Sequence, residues 1–285
     1  MIKDWISVIK IRILASNLFC AFAGYCLASR WKFDDITLLF MMLGTTLVVA
    51  SASMMNNFLD RSRDLRMERT RNRPLPSGRL NPRIVLMTGI VKGAVGFVLL
   101  FAFVNPLSAI LGLIGIAVYV GIYTAWLKPT STWSTSIGGI SGAMPPMIGY
   151  CGFSNQLDSG AWLLFFFLFL WQPPHFWALG ILNREEYRSA GYPLLPVVKG
   201  VHRTKLQSLP YVASLFVVSY LLFDQGYVGI VFLIVSEALL AIWFVLSIRG
   251  LITKNDDKWA KNHFRFSLYL LTLTFSVILI ESALR

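Results

Sequence analysis

The sequence predicts an all-α protein, a bundle of about nine transmembrane helices whose N-terminus is cytoplasmic and whose C-terminus is external. Three observations support this prediction: an apolar composition, regularly spaced apolar runs, and basic residues confined to alternate loops. Hydrophobic residues make up 56% of the 285 residues and charged residues only 14%, with a mean hydropathy of +0.63. A soluble chain of this length has no interior large enough to bury so much apolar surface, whereas a lipid bilayer accommodates it.

Apolar runs recur along the chain at nearly the length that crosses ~30 Å of hydrocarbon as a helix. They lie at 13–29, 37–58, 84–104, 106–127, 136–153, 161–182, 209–223, 226–248 and 264–284. The runs at 136–153 and 209–223 are shorter than the others or are broken by Gly and Pro. Together the runs predict nine spans.

The net charge of +12 would suit a nucleic-acid-binding protein, but the basic residues are distributed as in a membrane protein. Of the 26 lysines and arginines, 22 fall in the N-terminal segment and in alternate loops, and one lies within a span. The other side has only Arg30, Lys32 and Arg285. By the positive-inside rule this distribution predicts the topology stated above, and no nucleic-acid partner is expected.

The N-terminal segment 1–29 combines basic residues with an apolar stretch, as a signal peptide does. No small-residue cleavage site follows, so the segment is interpreted as the first span. No Arg/Ser-rich transit segment precedes it, which favours a bacterial inner membrane, with the chain as a multi-pass protein. Cys20, Cys26 and Cys151 lie in or beside spans without metal or redox spacing and are interpreted as small apolar residues.

The two longest loops lie on the predicted cytoplasmic side, at about 59–83 and 183–208. Each follows a span that ends in polar residues, and the two loops are four spans apart, which suggests an architectural repeat. Nowhere does the composition change to that of a linker or a soluble domain, so residues 1–285 are predicted to form one integral membrane domain. An active site in such a chain must lie among the helices.

The first polar constellation stands at the end of the second predicted span, at Asn56, Asp60 and Asp64. Residues four apart on a helix rise about 6 Å and rotate by only ~40°, so these side chains share one face. Two carboxylates at this spacing repel each other unless a cation neutralises them, and Mg²⁺ commonly takes one or two carboxylates together with substrate phosphates. The alternative interpretation is a solvated helix end, with both aspartates paired to neighbouring arginines.

An arginine-rich segment with two prolines follows immediately, from Met67 to Gly78. The positive-inside rule accounts for positive charge here, but not for this density of planar guanidinium groups. Arginine binds phosphate oxygens in a bidentate, directional manner. Carboxylates for Mg²⁺ beside such a segment predict a diphosphate site at the membrane surface, with the apolar tail of a lipid diphosphate among the spans.

Residues 56–78 resemble the first aspartate-rich motif of the UbiA-type intramembrane prenyltransferases and the Arg-Thr-x-x-Arg-Pro-Leu-Pro-x-Gly sequence that follows it. Asn57 departs from the family pattern, which has Asp there, but the paired Asn resembles the heme O synthase branch. The resemblance implies that Asp60 and Asp64 are catalytic and that, with Asn56, they bind Mg²⁺. The diphosphate-binding residues that it implies are Asn56, Asn57, Arg69, Arg73, Lys128, Glu185 and Glu186.

The second polar constellation lies in the sixth predicted span, where Pro173 and Pro174 precede His175. The prolines remove two backbone donors, which predicts a kink in this helix. A lone histidine is commonly a hydrogen-bonded structural residue, but polar groups inside a membrane are expensive and neutral imidazole is a good iron ligand. The residues alone leave both interpretations open.

Residues 171–180 and 182–200 closely resemble the heme O synthase branch. Members of the superfamily that prenylate aromatic substrates carry a fuller second aspartate-rich motif here, whereas this chain has Asn183, Glu185 and Glu186. A complete second metal cluster is therefore not expected.

Residues 123–128 and 138–150 also resemble that branch, although helix packing by small residues and an anchoring lysine account for them equally well. The resemblance implies that Trp171, His175 and Trp177 bind heme, with His175 also catalytic.

The resemblance implies transfer of a farnesyl group from farnesyl diphosphate to a vinyl group of protoheme, with addition of water, to give heme O. It implies Mg²⁺ as the cofactor, the two named substrates and membrane lipid as partners, and handover of the product to a heme A synthase or a terminal oxidase. Two rival functions are a prenyltransferase for a quinone precursor or another aromatic acceptor, and a heme or lipid transporter.

Overall fold

The computed structural model describes residues 2–284, so Arg285, one of the basic residues predicted to be external, lies outside the described residues. The described chain is helical and contains no strand. Its helices are α1 (Ile2–Ile9), α2 (Ile11–Ser29), α3 (Asp35–Asp64), α4 (Pro82–Phe103), α5 (Pro106–Ile116), a π-helical segment (Ala117–Leu127), α6 (Lys128–Thr130), α7 (Ser134–Gly142), α8 (Met144–Ser154), α9 (Ser159–Leu182), α10 (Arg184–Ser189), α11 (Leu195–Val198), α12 (Gly200–Asp224), α13 (Ile230–Ile252) and α14 (Asp256–Leu284).

Eight helices in the described part of the chain are long and apolar enough to cross a membrane. Seven of them are α2, α3, α4, α9, α12, α13 and α14, and the eighth is the continuous stretch Pro106–Thr130, made of α5, the π-helical segment and α6. Their positions match eight of the nine predicted spans. The prediction of an all-α transmembrane bundle is therefore confirmed.

The remaining predicted span, 136–153, is a broken helix made of α7 and α8. Near its start the ring of Tyr123 packs against Gly138. Near its end the side-chain amide of Asn105, in the loop before α5, donates to the carbonyl of Cys151 at 2.8 Å. Because these contacts lie towards opposite ends of the helix Pro106–Thr130, the broken helix runs along that helix, as the prediction of a ninth span requires.

Three spans are longer than the sequence predicts, because polar residues continue the helix beyond the apolar run. The helix α3 ends at Asp64 and not at 58, α12 begins at Gly200 and not at 209, and α14 begins at Asp256 and not at 264. The polar loops shorten accordingly to 65–81 and 183–199. The extra turns of α3 keep the first polar constellation helical.

Glycines allow the central helices α2 and α8 to touch backbone to backbone. A Cβ atom added at Gly149 would lie 1.8 Å from the carbonyl oxygen of Ala21, and one at Gly24 would lie 2.1 Å from that of Pro146. Small residues permit this close approach inside a membrane, where lipid gives helices no hydrophobic reason to associate.

The short helix α1 precedes the first span and is absent from the sequence prediction. Lys10, in the left-handed conformation with φ of 55°, separates α1 from α2. The Asn57 side chain donates to the carbonyl of Val8 at 3.0 Å and thereby fixes α1 against α3.

The two polar loops pack on each other at one end of the bundle. Met67, from the loop after α3, is buried with Ala190, Tyr192 and Leu194, from the loop after α9. The two loops therefore form a single cap, with an apolar centre, next to the C-terminal end of α3.

Candidate active site

Asp60 is the centre of a buried polar cluster beneath this cap. It is 3% exposed and accepts three hydrogen bonds. The Tyr192 hydroxyl donates to Oδ1 at 2.9 Å. Lys128 Nζ donates to Oδ2 at 2.5 Å, and Asn56 Nδ2 donates to the same oxygen at 2.9 Å. The structure thus brings together Asn56, Asp60 and Lys128 as the sequence predicts, and adds Tyr192.

Lys128 reaches Asp60 from the first residue after the π-helical segment. Its Nζ lies 4.7 Å from the ring centroid of Tyr192 and 5.8 Å from that of Tyr123, so aromatic faces cover the ammonium. Burial raises the pKa of the Tyr192 phenol, so the phenol keeps its proton and acts as the donor. From the π-helical segment, Thr124 accepts a hydrogen bond from Asn56 Nδ2 at 3.0 Å through Oγ1. Stretches of π-helix are rare and often occur at functional sites.

Asp64 lies one turn after Asp60 on the same face of α3 and is also buried. Its Oδ2 accepts a charge-assisted hydrogen bond from Arg73 Nη1 at 2.9 Å. Its backbone carbonyl accepts from the hydroxyl of Thr70 at 2.8 Å, which fixes the loop that carries the arginine. The burial of both carboxylates contradicts the alternative of a solvated helix end.

Lys10 is a member of the cluster that the sequence does not reveal. Its Nζ donates to Asn56 Oδ1 at 2.5 Å. In the sequence Lys10 is one of several basic residues before the first span, and no local pattern distinguishes it. Three cations, on Lys10, Lys128 and Arg73, therefore face the two carboxylates, which gives the cluster an excess of positive charge.

Asn57 lies outside the cluster, and its role in diphosphate binding stays a prediction. One residue along a helix rotates the side chain by ~100°, and the amide nitrogen of Asn57 is committed to the carbonyls of Val8 and Ser53 at 3.0 and 2.8 Å. The residue instead docks α1 against α3.

The two glutamates of the second motif, Glu185 and Glu186, do not join the cluster around Asp60. Glu185 is exposed and forms ion pairs with its neighbours Arg184 and Arg188. Glu186 Oε2 lies 3.9 Å from Arg69 Nε and accepts no hydrogen bond within residues 2–284. Arg69 and Glu186 therefore link the two loops at the rim of the site, whereas Glu185 is directed elsewhere.

The residues at the centre of the site fit Mg²⁺. They supply hard oxygen atoms from two carboxylates and one amide carbonyl, on adjacent turns of one helix. The described chain has no group of three or more acidic, histidine or cysteine side chains that could hold a metal, but Mg²⁺ needs only one or two carboxylates when phosphates complete its shell. Both oxygens of Asp60 are hydrogen-bonded, and Asn56 Oδ1 accepts from Lys10, so Mg²⁺ would compete with the ammonium of Lys128 for Asp60 and with that of Lys10 for Asn56.

His175 occupies a different part of the bundle, between α9 and α14. Its ring is stacked between Trp171 and Phe264, with centroid distances of 4.4 and 4.5 Å. Nδ1 lies 2.7 Å from the hydroxyl of Ser267 on α14. The helix α9 continues through both prolines without a break, and the side chain of Gln172 bonds the Gly139 carbonyl of α7.

Trp177 lies apart from Trp171 and His175, and its part in heme binding stays a prediction. Two residues along a helix rotate by ~200°, so Trp177 faces the other side of α9, where its ring contacts Tyr211 edge-on. There it lines a cavity of about 480 Å³ with Lys199 and Arg203.

A second buried histidine, His263, was missed because the sequence places the last span only from 264. It lies in the first turns of α14 and is fully buried. Its Nε2 is 3.0 Å from the Ser247 hydroxyl, while its Nδ1 has no hydrogen-bond partner in the described structure.

Comparisons with known proteins agree with this geometry. Residues 17–270 match the UbiA prenyltransferase family. Protoheme IX farnesyltransferase 1 of Bacillus subtilis (strain 168) is 42% identical over 291 residues, which cover 99% of this chain and 91% of that protein.

Two solved structures show the same fold. Digeranylgeranylglyceryl phosphate synthase superimposes with a TM-score of 0.85 at 17% identity, covering 100% of this chain and 99% of that one. A UbiA homolog from Archaeoglobus fulgidus, bound to DMAPP and Mg²⁺, gives a TM-score of 0.69 at 14% identity, covering 96% and 99%.

Proposed function

The chain belongs to the UbiA prenyltransferase family, and we propose that it transfers the farnesyl group of farnesyl diphosphate to a vinyl group of protoheme, giving heme O. The observation that carries the proposal is the buried cluster of Asp60, Lys128 and Tyr192. It occurs in a chain that matches a protoheme farnesyltransferase over nearly its whole length.

The donor half of the reaction requires the negative charge that develops on the departing diphosphate to be stabilised. Asp60, Asp64 and Asn56 would hold Mg²⁺, which would neutralise this charge when bound. A related fold has been solved with Mg²⁺ and a prenyl diphosphate, which supports the metal assignment. Arg73 and Lys128 already lie beside the carboxylates, and they would bind phosphate oxygens by direct hydrogen bonds.

The bonds change in a balanced sequence. The C1–O bond of farnesyl diphosphate breaks, and its electron pair leaves with the diphosphate. The electron pair of the vinyl group forms the new bond to C1, and water adds to the resulting cation next to the porphyrin ring and then releases a proton. Apolar helices must keep water from the allylic cation until the vinyl carbon has reacted, and the buried setting of the cluster suits this requirement.

The acceptor half requires a flat iron porphyrin to be held in place. Trp171 and His175 form a stacked aromatic pair in the wall between α9 and α14, away from the carboxylates on α3. We assign heme binding to this pair, with His175 as the iron ligand, and diphosphate binding to the cluster around Asp60.

The protein is a multi-pass membrane protein of a prenyltransferase family. Its bacterial relative favours the bacterial inner membrane, with the whole chain as one domain. Farnesyl diphosphate and protoheme would enter from the membrane, and the product would pass to a heme A synthase or a terminal oxidase.

Mass analysis of heme tests the proposal directly. Membranes that contain the protein are incubated with protoheme, farnesyl diphosphate and Mg²⁺, and the extracted heme should gain the mass of a farnesyl group plus a hydroxyl group. The Asp60→Asn variant and a chelator-treated sample should yield unchanged protoheme. Prenylation of an added aromatic acceptor in place of heme would support the first rival function, and heme movement without diphosphate release would support transport.

A further inference from the structure

We propose that Ser267 is a positioning residue that fixes the tautomer of His175 and leaves its Nε2 lone pair free for the iron of a porphyrin. The identity of the ligand rests on the proposed function, whereas the tautomer follows from the contacts of the protein alone. Metal-bound histidines are commonly oriented by a hydrogen bond from their other ring nitrogen, and Ser267 would provide that bond from outside the iron site.

Counting hydrogens assigns the proton of the neutral ring. The Ser267 hydroxyl lies 2.7 Å from the carbonyl of Phe264, one turn earlier, and 2.7 Å from His175 Nδ1. A hydroxyl has one hydrogen, and when it is donated to the carbonyl the oxygen can only accept from Nδ1–H. The opposite tautomer would leave an Nε2–H donor without an acceptor, because Nε2 has no hydrogen-bond partner among the described residues. The Nδ1–H tautomer satisfies every donor.

The surroundings of the ring cover both of its faces and leave Nε2 without a polar partner in the described part of the chain. Trp171 covers one face of His175 and Phe264 covers the other. Nδ1 is occupied by Ser267, yet 6% of the residue remains exposed. Phe176 also packs against the ring at a steep angle, with centroids 4.9 Å apart, and Nε2, the atom that an axial iron ligand must present, has no hydrogen-bond partner among the described residues.

Ser267 also fixes the aromatic neighbour. Its backbone carbonyl accepts a hydrogen bond from Trp171 Nε1 at 3.0 Å. One residue on α14 thus holds both members of the stacked pair on α9, and it does so through two different groups.

His263 provides an internal comparison. A serine hydroxyl fixes its tautomer in the same way but places the proton on the other ring nitrogen. The Ser247 hydroxyl donates to the Trp243 carbonyl at 2.8 Å and lies 3.0 Å from His263 Nε2. The same count of hydrogens places the proton on Nε2 and leaves Nδ1 as the bare nitrogen. This nitrogen is enclosed in a residue with no exposure, so it cannot reach a ligand.

Nitrogen NMR of the ligand-free protein tests the tautomer without turnover. The chain has three histidines, so side-chain ¹⁵N signals can be assigned with single variants. We expect His175 to be protonated at Nδ1, and Ser267→Ala to shift its signals towards the other tautomer. Ser267→Thr keeps the hydroxyl and should restore the wild-type pattern. Ser247→Ala should change the signals of His263 alone.

Heme titration of the same variants tests the role. Ser267→Ala should weaken protoheme binding by about 10–100-fold, which is the usual effect of replacing a residue that orients a metal-binding histidine. It should also change the heme absorption spectrum. Iron-free protoporphyrin should bind both proteins equally, and Ser247→Ala should bind protoheme like the wild type. A wild-type proton on Nε2 would overturn the tautomer assignment. A changed tautomer with an unaltered heme spectrum and affinity would overturn the positioning role. Neither result depends on whether the protein forms heme O.

Discussion

The ion pair between Asp60 and Lys128 is largely removed from water, with only 5% and 13% of the two side chains exposed. A buried pair is sensitive to the loss of one partner, because the remaining charge stays in a poorly solvated place. The pair therefore couples the stability of the fold to the integrity of the site.

The substitution Lys128→Met should lower the free energy of unfolding by about 3–5 kcal/mol, because it leaves Asp60 buried without its main counter-charge. Arg79→Met removes the partly exposed partner of Asp4 and should change stability far less. Denaturant unfolding in detergent micelles measures both values. Equal effects in the two variants would mean that losing a partner from the buried pair destabilises the fold no more than losing one from the exposed pair.

Turnover is the more demanding test of the carboxylates. Asp60→Asn and Asp64→Asn keep the size of each side chain but remove an anionic oxygen ligand, so each should reduce heme O formation by about 10²-fold or more. Glu68→Gln removes an exposed acid from the loop that follows α3 and should leave the rate unchanged. The rates are compared at limiting Mg²⁺ in membranes with equal protein content. Near-normal rates in both aspartate variants would mean that Asp60 and Asp64 do not bind the Mg²⁺ that turnover requires.

At this scale the sequence predicts what helical spacing determines and misses what distant chain segments supply. Asn56, Asp60 and Asp64 share a face because they are four residues apart. Lys10 and Tyr192 bond to that face from before the first span and from the second polar loop. No pattern around either residue records the contact, since it depends on how the helices assemble.

At the scale of helices, the apolar runs locate the spans well but place their polar ends poorly. Hydropathy detects the stretch that lies in hydrocarbon, whereas a helix continues into water wherever its polar residues can be solvated or paired. This difference affects the site, because the last turns of α3 carry both carboxylates and the first turns of α14 carry His263. Small residues in both helices, by contrast, indicate the close contact of α2 with α8.

The contact between α2 and α8 should be intolerant of even one added methyl group. Gly149→Ala would place Cβ 1.8 Å from a backbone oxygen of α2, so the helices must separate, at a cost of about 1–3 kcal/mol or more. Gly121→Ala has no neighbouring atom within 4 Å and should be neutral or slightly stabilising, because alanine favours helix by up to ~1 kcal/mol. Thermal unfolding of the purified variants measures the difference. A tolerated Gly149→Ala would mean that this contact is looser than described.

At the scale of the whole molecule, the two polar loops act together. The sequence places them on the same side of the membrane, and the structure joins them through a buried contact above Asp60. The Tyr192 hydroxyl from the second loop completes the carboxylate site on the helix before the first loop. The two loops therefore contribute differently to the site: the first supplies the charge of Arg73, and the second covers Asp60 with Tyr192.

The orientation of the bundle in the membrane follows from the same loops. Most of the basic residues flank the end that carries Asp60, so that end is predicted to face the cytoplasm. Reporter fusions after residues 75, 130, 195 and 257 should be cytoplasmic, and fusions after 30, 105, 157 and 225 should be external. Because the sequence predicts nine spans, with α7–α8 as one of them, a fusion after residue 284 should also be external. A cytoplasmic C-terminus, with the other fusions as expected, would show that α14 fails to cross. Reversal of all the fusions would invert the bundle and place the diphosphate site on the external face.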